Sequence, residues 1–175
     1  MNKLLTIFIF TLILTGCIHN NDLSIKNINM KLTSPVFEHN ASIPSQYTCD
    51  GGNFNPPLNI SEVPENTQSL VLMVDDPDAP GGDWVHWLVW NIDPKTTQIN
   101  EKSVPDNAIE GLTSFNNRGY GGPCPPGGEH RYFFKLYALD TMIELESNAN
   151  KQDLLQEMEG HIIDSVELIG LYSRQ

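Results

Sequence analysis

The chain has 175 residues, a length that suits a single domain. It contains 22 acidic residues and only 10 lysines and arginines, which gives a formal net charge of −12. This charge argues against nucleic-acid binding and against electrostatic adsorption to an anionic membrane, although an acidic protein can still contain a local basic pocket.

The N-terminal region has the features of an export signal followed by a tether. The apolar run Leu4–Leu14 follows Lys3 and is too short to cross a bilayer, which takes about 20 residues. The sequence Leu-Thr-Gly-Cys that ends at Cys17 has the form of a bacterial lipobox. We therefore expect a lipoprotein signal peptide at 1–16, fatty acylation such as palmitate on Cys17, and an Asn-rich flexible tether at 17–29. An ordinary secretory signal or an uncleaved anchor is the alternative. A lipid-anchored protein would lie in the cell envelope, and Ile18 after the cysteine favours the outer membrane or its periplasmic face.

Two strands flank an acidic loop in the first half of the domain. Ser69–Val74 is a short apolar run typical of a buried strand, and Trp84–Ile92 predicts a second strand. Between them lie four aspartates, two prolines after Asp or Ala, and a Gly-Gly pair, which together predict a stiff turn. Strand alternation predicts one shared face for five residues of the second strand: Trp84, His86, Leu88, Trp90 and Ile92.

A second loop–strand unit spans Gly119–Asp140. Its first half is rich in glycine and proline, and its second half predicts a strand. Alternation places His130, Tyr132, Phe134, Leu136 and Ala138 on one face. Arg131 falls on the other face, so we expect it to hold the acidic loop through a salt bridge.

The remaining elements predict a mainly β fold with one helix. Short strand signals occur from Met30 onward, and the C-terminal strand is expected at Ser165–Tyr172. Asn150 is a plausible helix N-cap with Asp153 three residues later, and Gly160 is a natural stop. Many short strands separated by Gly/Pro turns indicate a β-sandwich.

Three motifs together resemble the phosphatidylethanolamine-binding protein family, also called Raf kinase inhibitor proteins, and more narrowly its bacterial and archaeal branch. They are D-P-D-A-P from Asp76, W-V-H-W-L-V-W-N-I from Trp84, and G-P-C-P-P-G-G-E-H-R-Y-F-F from Gly122. The resemblance implies an antiparallel β-sandwich with Greek-key connections and one or two short helices near the C-terminus, over residues 30–175. It also implies a cis Ala79–Pro80 bond, and it allows a homodimer.

The same resemblance implies a small preformed anion pocket that binds a phosphorylated ligand or phospholipid head group. The positions that match the family's pocket are Asp76, Asp78, Trp84, His86, Gly122, His130 and Tyr132. Elementary chemistry agrees, because a phosphate needs hydroxyl and N–H donors and a close backbone approach. The aspartates repel an anion unless they pair with a histidine or with a head-group amine. A pocket that contains both aspartates and histidines therefore suits a zwitterionic phospho-head group.

Other functions stay open at this stage. An inhibitor or interaction module directed at a protein partner, such as a kinase or protease, is one alternative, and a hydrolase that uses the Asp/His pocket is another. Neither H-x-x-x-H nor C-x-x-C occurs, and Cys124 near His130 lies between prolines and not at a helix N-terminus. We therefore expect a binding protein with no metal and no cofactor, and not an enzyme.

Two cysteines, Cys49 and Cys124, remain after Cys17 is lipidated. Exported proteins meet oxidising conditions, and both cysteines fall in predicted loops. A Cys49–Cys124 disulfide would brace the second loop against the early part of the domain, and two buried free thiols are the alternative.

Overall fold

The computed structural model describes residues 29–174. This part of the chain contains nine strands, one α-helix and a 3₁₀ turn at Ser45–Tyr47. The predicted signal peptide, the predicted lipidated Cys17 and nearly all of the predicted tether lie outside the described residues. The strands are β1 (Lys31–Thr33), β2 (Ala41–Ser42), β3 (Leu58–Ser61), β4 (Ser69–Asp76), β5 (Trp84–Ile92), β6 (Gln98–Ile99), β7 (Ile109–Glu110), β8 (Glu129–Leu139) and β9 (Ile162–Ser173).

The strands form two sheets, which confirms the predicted mainly β fold. The small sheet has the order β1-β3-β6, and the large sheet has the order β2-β9-β8-β4-β5-β7. Strand β8 returns to lie beside β4 after three intervening strands, a long return connection of the kind found in a Greek key. The pairs are antiparallel except one, since the short edge strand β2 pairs with β9 in parallel. In this pair Ala41 lies beside Gly170 and Ser42 beside Leu171, at the edge of the large sheet.

A hydrophobic core separates the two sheets. Leucine and isoleucine side chains of the small sheet, such as Leu58 and Ile60, pack against large-sheet residues such as Leu72, Phe134 and Leu136. Burial of this apolar surface is the main favourable term for folding. It fixes β4, β5 and β8 side by side, with the loops at one end of these strands close together.

The opposite face of the large sheet is covered by α1 (Lys151–Met158). Leu154 and Met158 of this helix are buried in a second core cluster against Met73 and Trp90. The Asn150 side chain accepts hydrogen bonds from the backbone of Gln152 and Asp153, and the Asp153 carboxylate accepts from the Asn150 backbone, so the predicted capping box is present. The helix ends before Gly160, whose positive φ of 81° suits glycine.

The predicted alternation holds in β8 and fails in β5. Tyr132, Phe134, Leu136 and Ala138 all lie in the core between the sheets. In β5, Leu88 and Trp90 instead face α1, whereas Trp87 and Ile92 face the inter-sheet core. The cause is two irregularities in the β4–β5 register, one beside His86 and one beside Asn91, whose φ is 57°.

Candidate functional site

The ends of three adjacent strands converge at one end of the large sheet. β4 pairs antiparallel with both β5 and β8, so the end of β4 at Asp76 lies beside the starts of β5 and β8. The loops that follow and precede these strands enclose a cavity of about 330 Å³. It is lined by Asp76, Ala79, Pro80, Gly81, Trp84, His86, Phe115, Cys124, Pro125, Pro126, His130 and Tyr132.

Asp76 and His130 form a buried pair in the cavity wall. His130 Nδ1 lies 2.8 Å from Asp76 Oδ2, and both side chains are almost fully buried. Asp76 Oδ1 also accepts the backbone N–H of Asp78 at 2.9 Å. Because a carboxylate accepts hydrogen bonds, His130 Nδ1 carries the proton of this contact, and Nε2 is the ring nitrogen left for a ligand.

His86 is held by both its ring and its backbone. Its Nδ1 lies 2.6 Å from the Gly121 carbonyl oxygen, and the Gly121 N–H donates to the His86 carbonyl at 2.9 Å. A carbonyl oxygen only accepts, so Nδ1 is protonated. Burial lowers the pKa of His86 below its ordinary value of 6.5, against the smaller opposing effect of the Gly121 carbonyl. The ring is therefore neutral at pH 7, and its Nε2 is a hydrogen-bond acceptor.

Tyr132 brings a buried hydroxyl group to the cavity wall. The residue is 1% exposed, and its Oη makes no well-aligned hydrogen bond within the described part of the protein, although the Asp76 carboxylate and the Cys124 backbone lie near it. Burial raises the pKa of this phenol, and the negative charge of Asp76 raises it further by a smaller amount. The phenol therefore stays protonated at ordinary pH. A buried hydroxyl without a well-aligned partner costs free energy, so this atom is a candidate hydrogen-bond donor to a ligand in the cavity.

Aromatic rings form the remaining wall and the rim. His86 packs edge-to-face against Tyr132 and Phe115, with ring centroids 5.2 Å and 5.4 Å away. Trp84 makes a similar contact with Phe115, and these two rings are 38% and 40% exposed. The cavity thus has polar groups at its base and apolar rings at its mouth.

The glycine–proline loop is braced against the early part of the domain. Cys49 and Cys124, the pair considered from the sequence, form a disulfide with Cα atoms 5.4 Å apart. The Cys49 N–H donates to the Pro123 carbonyl, and the Gly122 N–H donates to Asn53 Oδ1 at 2.7 Å. These contacts hold the Gly121 carbonyl in place for His86.

The acidic loop is held by ion pairs on the α1 side of the large sheet. Asp78 is paired with Arg131, and Asp83 is paired with Lys151 at the first turn of α1. Lys151 and Lys135 both donate to Asp75, which is fully buried beside Asp76. The cationic side chains nearest the cavity therefore all form ion pairs with carboxylates.

Of the seven residues predicted for the pocket, the structure brings five together at the cavity: Asp76, Trp84, His86, His130 and Tyr132. Asp78 is not part of the lining, because Arg131 holds both of its carboxylate oxygens. Gly122 is not part of the lining either, because its backbone packs against Tyr47 and Thr48. Phe115 and the wall formed by Ala79, Pro80 and Gly81 were not predicted, and Phe115 had no local signal because it lies in a loop outside the motifs, seven residues before Gly122.

The cis Ala79–Pro80 bond expected from the resemblance is wrong. None of the peptide bonds within residues 29–174 is cis. The Gly82 N–H donates to the Ala79 carbonyl at 3.0 Å, so Pro80 is the second residue of a tight turn. A trans proline has the backbone angle that this turn position needs, and a trans bond is intrinsically favoured.

The described residues have neither a metal-binding cluster nor a membrane-spanning helix. No group of three or more His, Cys, Asp or Glu side chains among them is arranged to hold a metal ion. No helix among residues 29–174 has the length and apolar character needed to span a membrane.

The fold and the cavity define a mainly β ligand-binding protein, and comparison with known proteins gives its family. The family model described as phosphatidylethanolamine-binding protein matches residues 33–173. The chain belongs to the phosphatidylethanolamine-binding protein family.

Similar proteins occur in archaea and in bacteria. A UPF0098 protein of Methanothermobacter thermautotrophicus is 48% identical over 150 residues, covering 83% of this chain and 99% of that protein. One from Pyrococcus horikoshii is 43% identical over 185 residues, covering 100% of this chain and 91% of that protein.

Two crystal structures share the fold. A protein of Chlamydia trachomatis, described as a homologue of phosphatidylethanolamine-binding protein, has a TM-score of 0.82 at 41% identity, covering 85% of this chain and 99% of that chain. An Escherichia coli protein, described as a new member of the mammalian family, has a TM-score of 0.79 at 32% identity, covering 84% and 99%.

Proposed function

We propose that this protein binds a small phosphorylated ligand or a phospholipid head group in the cavity between the acidic loop and the glycine–proline loop. The observation that carries the proposal is the Tyr132 hydroxyl, which is buried in the cavity wall and makes no well-aligned hydrogen bond there. Two histidine rings with one nitrogen each left for a ligand lie in the same wall. A hydroxyl donates to a phosphate oxygen, and a neutral imidazole nitrogen accepts from a phosphate P–OH or from a head-group ammonium.

The family supports binding as the activity. Its members are mostly binding proteins and not enzymes, and the family description names a phospholipid with a phosphorylated head group. The polar base and the Trp84–Phe115 rim of the cavity are compatible with a phosphate group that carries an organic substituent.

The test is a titration of the full chain, purified in a nonionic detergent, with inorganic phosphate, phosphoethanolamine and glycerophosphoethanolamine. A ligand that binds the native state raises the melting temperature as its concentration increases. Tyr132→Phe removes this hydroxyl and keeps the ring, so we expect a loss of affinity of roughly 10-fold, the value of one hydrogen bond.

Tyr137→Phe is the matched control. It removes a hydroxyl from the other face of the same strand, where Tyr137 packs against the α1 side of the sheet. We expect wild-type affinity for this variant. The proposal fails if none of the three compounds raises the melting temperature, or if Tyr132→Phe binds them as tightly as the wild type.

The same proposal places the protein in the cell envelope, anchored through lipid on Cys17. Its support is the lipobox form of the sequence and the Cys49–Cys124 disulfide, which fits an oxidising compartment. Labelled palmitate added to cells should enter the wild-type protein and not Cys17→Ser, and the variant should move to the soluble fraction. Equal labelling of both forms would contradict the anchor.

A further inference from the structure

We propose that a groove at the opposite end of the large sheet from the cavity is a second ligand site, and that it binds an uncharged oligosaccharide. The groove has a volume of about 860 Å³, which lies in the usual range for small-molecule sites, roughly 300–1,000 Å³. It is lined by Gln68, residues 91–96, residues 98–100, residues 103–107 and Met142. The inference does not depend on the proposed function.

The groove is separate from the cavity. The cavity includes Trp84 at the start of β5, whereas the groove includes Ile92 at the end of the same strand. These two positions are about 26 Å apart along the strand, at roughly 3.3 Å per residue. The two linings share no residue. A small ligand in one site therefore does not contact a ligand in the other.

A buried carboxamide fixes the shape of one groove wall. Asn55 is 4% exposed, its Nδ2 donates to the Asn100 carbonyl at 2.8 Å, and its Oδ1 accepts the Ser103 N–H at 3.1 Å. Between these two residues, Lys102 has a φ of 56°, a conformation that a lysine rarely adopts and that persists only where the surrounding structure holds it. This wall is therefore formed before a ligand binds.

A second carboxamide fixes another part of the groove. Asn91 Nδ2 donates to the Ile143 carbonyl at 2.9 Å, and Asn91 Oδ1 accepts the Ile143 N–H at 2.8 Å. This pair of hydrogen bonds connects the end of β5 to the segment that contains Met142. A preformed site loses less conformational entropy on binding, which favours affinity.

Most of the side chains available to a ligand are neutral carboxamides. Gln68, Gln98, Asn100 and Asn107 line the groove, are exposed, and make no side-chain hydrogen bond with another described residue. Each carboxamide has a donor and an acceptor, and each sugar hydroxyl likewise donates and accepts. The side chains of Gln98 and Asn100 are two residues apart in and just after β6, so they point to the same side.

The backbone of Gln98 adds another donor and acceptor. The Ile60 N–H donates to the Thr97 carbonyl, and Leu58 lies opposite Ile99, so the N–H and C=O of Gln98 point away from β3. β6 is the edge strand of the small sheet, and these two groups therefore lie on its open side.

The charges of the groove do not select an ion. Asp93, Lys95 and Asp106 are its charged lining residues, and all three are exposed to solvent, where ion pairs contribute little. Their sum is one negative charge, so a phosphate is not attracted. Val104 and Met142 are 37% and 49% exposed and supply apolar surface for the C–H groups of a sugar ring.

The test is calorimetric titration of the full chain with maltotriose, cellotriose and N,N′,N″-triacetylchitotriose. The protein is kept in a polyoxyethylene detergent, because a detergent with a sugar head group would compete for the groove. N-acetyl-tetraglycine amide is the comparison compound, since it is uncharged and presents amides but no hydroxyls. We expect at least one trisaccharide to bind roughly 10-fold or more tightly than this peptide, because a site built to bond hydroxyls rejects a compound that lacks them.

A double variant locates the binding. Gln98→Ala with Asn100→Ala removes two neutral hydrogen-bonding groups, so we expect affinity for the trisaccharide to fall roughly 10- to 30-fold. The matched control is Gln152→Ala with Gln156→Ala, which removes two exposed carboxamides from α1 on the far face of the large sheet. We expect wild-type affinity for the control. All four positions are exposed, and urea unfolding will verify that both variants are folded.

Three results would overturn the inference without affecting the proposed function. They are no binding of any of the three trisaccharides, binding of the peptide as tightly as the best trisaccharide, and wild-type trisaccharide affinity in the Gln98→Ala, Asn100→Ala variant. A repeat titration with phosphoethanolamine present tests the separation of the two sites. Unchanged trisaccharide affinity supports a second site, whereas displacement would place the trisaccharide in the cavity and overturn the inference.

Discussion

Arg131 holds Asp78 through two parallel hydrogen bonds, from Nε to Oδ2 at 2.9 Å and from Nη2 to Oδ1 at 2.7 Å. The backbone N–H of Arg131 also donates to Asp78 Oδ2 at 3.0 Å. This contact connects the acidic loop to the start of β8, next to the His130–Asp76 pair. The salt bridge expected from the sequence is present, and it takes Asp78 out of the cavity.

The Arg131–Asp78 pair should make stability depend on acid pH. The Arg131 guanidinium lowers the pKa of Asp78 from 3.8 to about 2. A carboxyl group whose pKa is lower in the folded state stabilises the protein above pH 3.8, and that stabilisation is lost as the pH falls toward 2. Urea unfolding of Arg131→Met should therefore show a lower free energy of unfolding than wild type at pH 6, with the difference shrinking between pH 4 and pH 2.

Arg118→Met is the control for this measurement. Arg118 donates to the Ser147 hydroxyl and has no carboxylate partner among the described residues. Its removal changes the net charge by the same amount, so any general effect of charge will be the same. A difference for Arg131→Met that stays constant down to pH 2 would contradict the assignment to Asp78.

The disulfide should contribute a large share of stability. It closes a loop with a sequence separation of 75 residues, for which the chain-entropy model gives about 4 kcal/mol. Reduction by dithiothreitol should lower the free energy of unfolding of the wild type by roughly 2–4 kcal/mol, measured by urea titration. The double variant Cys49→Ser, Cys124→Ser should have the lower free energy of unfolding without any reductant, and dithiothreitol should not change it.

The buried carboxylate of Asp75 should make Lys151 important for stability. Asp75 is fully buried, and Lys135 and Lys151 donate to its Oδ2 at 3.0 Å and 2.5 Å. Lys151→Met removes one of the two charged donors, and a hydrogen bond to a charged group contributes about 2 kcal/mol. We expect that loss in the free energy of unfolding.

Lys31→Met is the comparison for Lys151→Met. Lys31 pairs with Glu62 at 2.5 Å, but both side chains are exposed, so its removal should cost less than about 1 kcal/mol. Equal losses in the two variants would show that the burial of Asp75 does not matter.

Much of the fold follows from local patterns in the sequence. The regular strand β8 has alternating burial from His130 to Ala138, so a period of two was enough to assign its faces. The capping box at Asn150 and the stop at Gly160 are also local, because the interacting groups lie within a few residues.

The failures come from interactions that a local pattern does not contain. The β5 faces depend on register irregularities against β4 beside His86 and Asn91, and Asn91, which tolerates its positive φ, does not by itself predict a register shift. The role of Asp78 depends on Arg131, 53 residues away, and that of Asp75 depends on Lys151, 76 residues away. Sequence reasoning found the polar residues of the cavity and the salt bridge of Arg131, but not that Lys135 and Lys151 pair with Asp75.

Gly122 should be needed for the position of its neighbour Gly121, although it does not line the cavity. A Cβ at Gly122 would lie 2.6 Å from the Tyr47 carbonyl oxygen, 2.7 Å from Asn53 Oδ1 and 2.8 Å from Thr48 Cα. The first and third of these are backbone atoms, so the loop itself must move. Gly122→Ala should therefore shift the Gly121 carbonyl away from His86 and cost roughly 1–3 kcal/mol in the free energy of unfolding, the usual range for overpacking.

Gly127→Ala is the control for Gly122→Ala. It introduces an alanine into the same loop at a position where the added Cβ has free space. A Cβ at Gly127 meets nothing within 4 Å. We expect wild-type stability and wild-type phosphate affinity for this variant, measured by urea unfolding and by calorimetry. Gly122→Ala should lose both, because His86 Nδ1 loses the acceptor that fixes its tautomer. If Gly122→Ala binds phosphate as tightly as Gly127→Ala, the Gly121 carbonyl is not what orients His86.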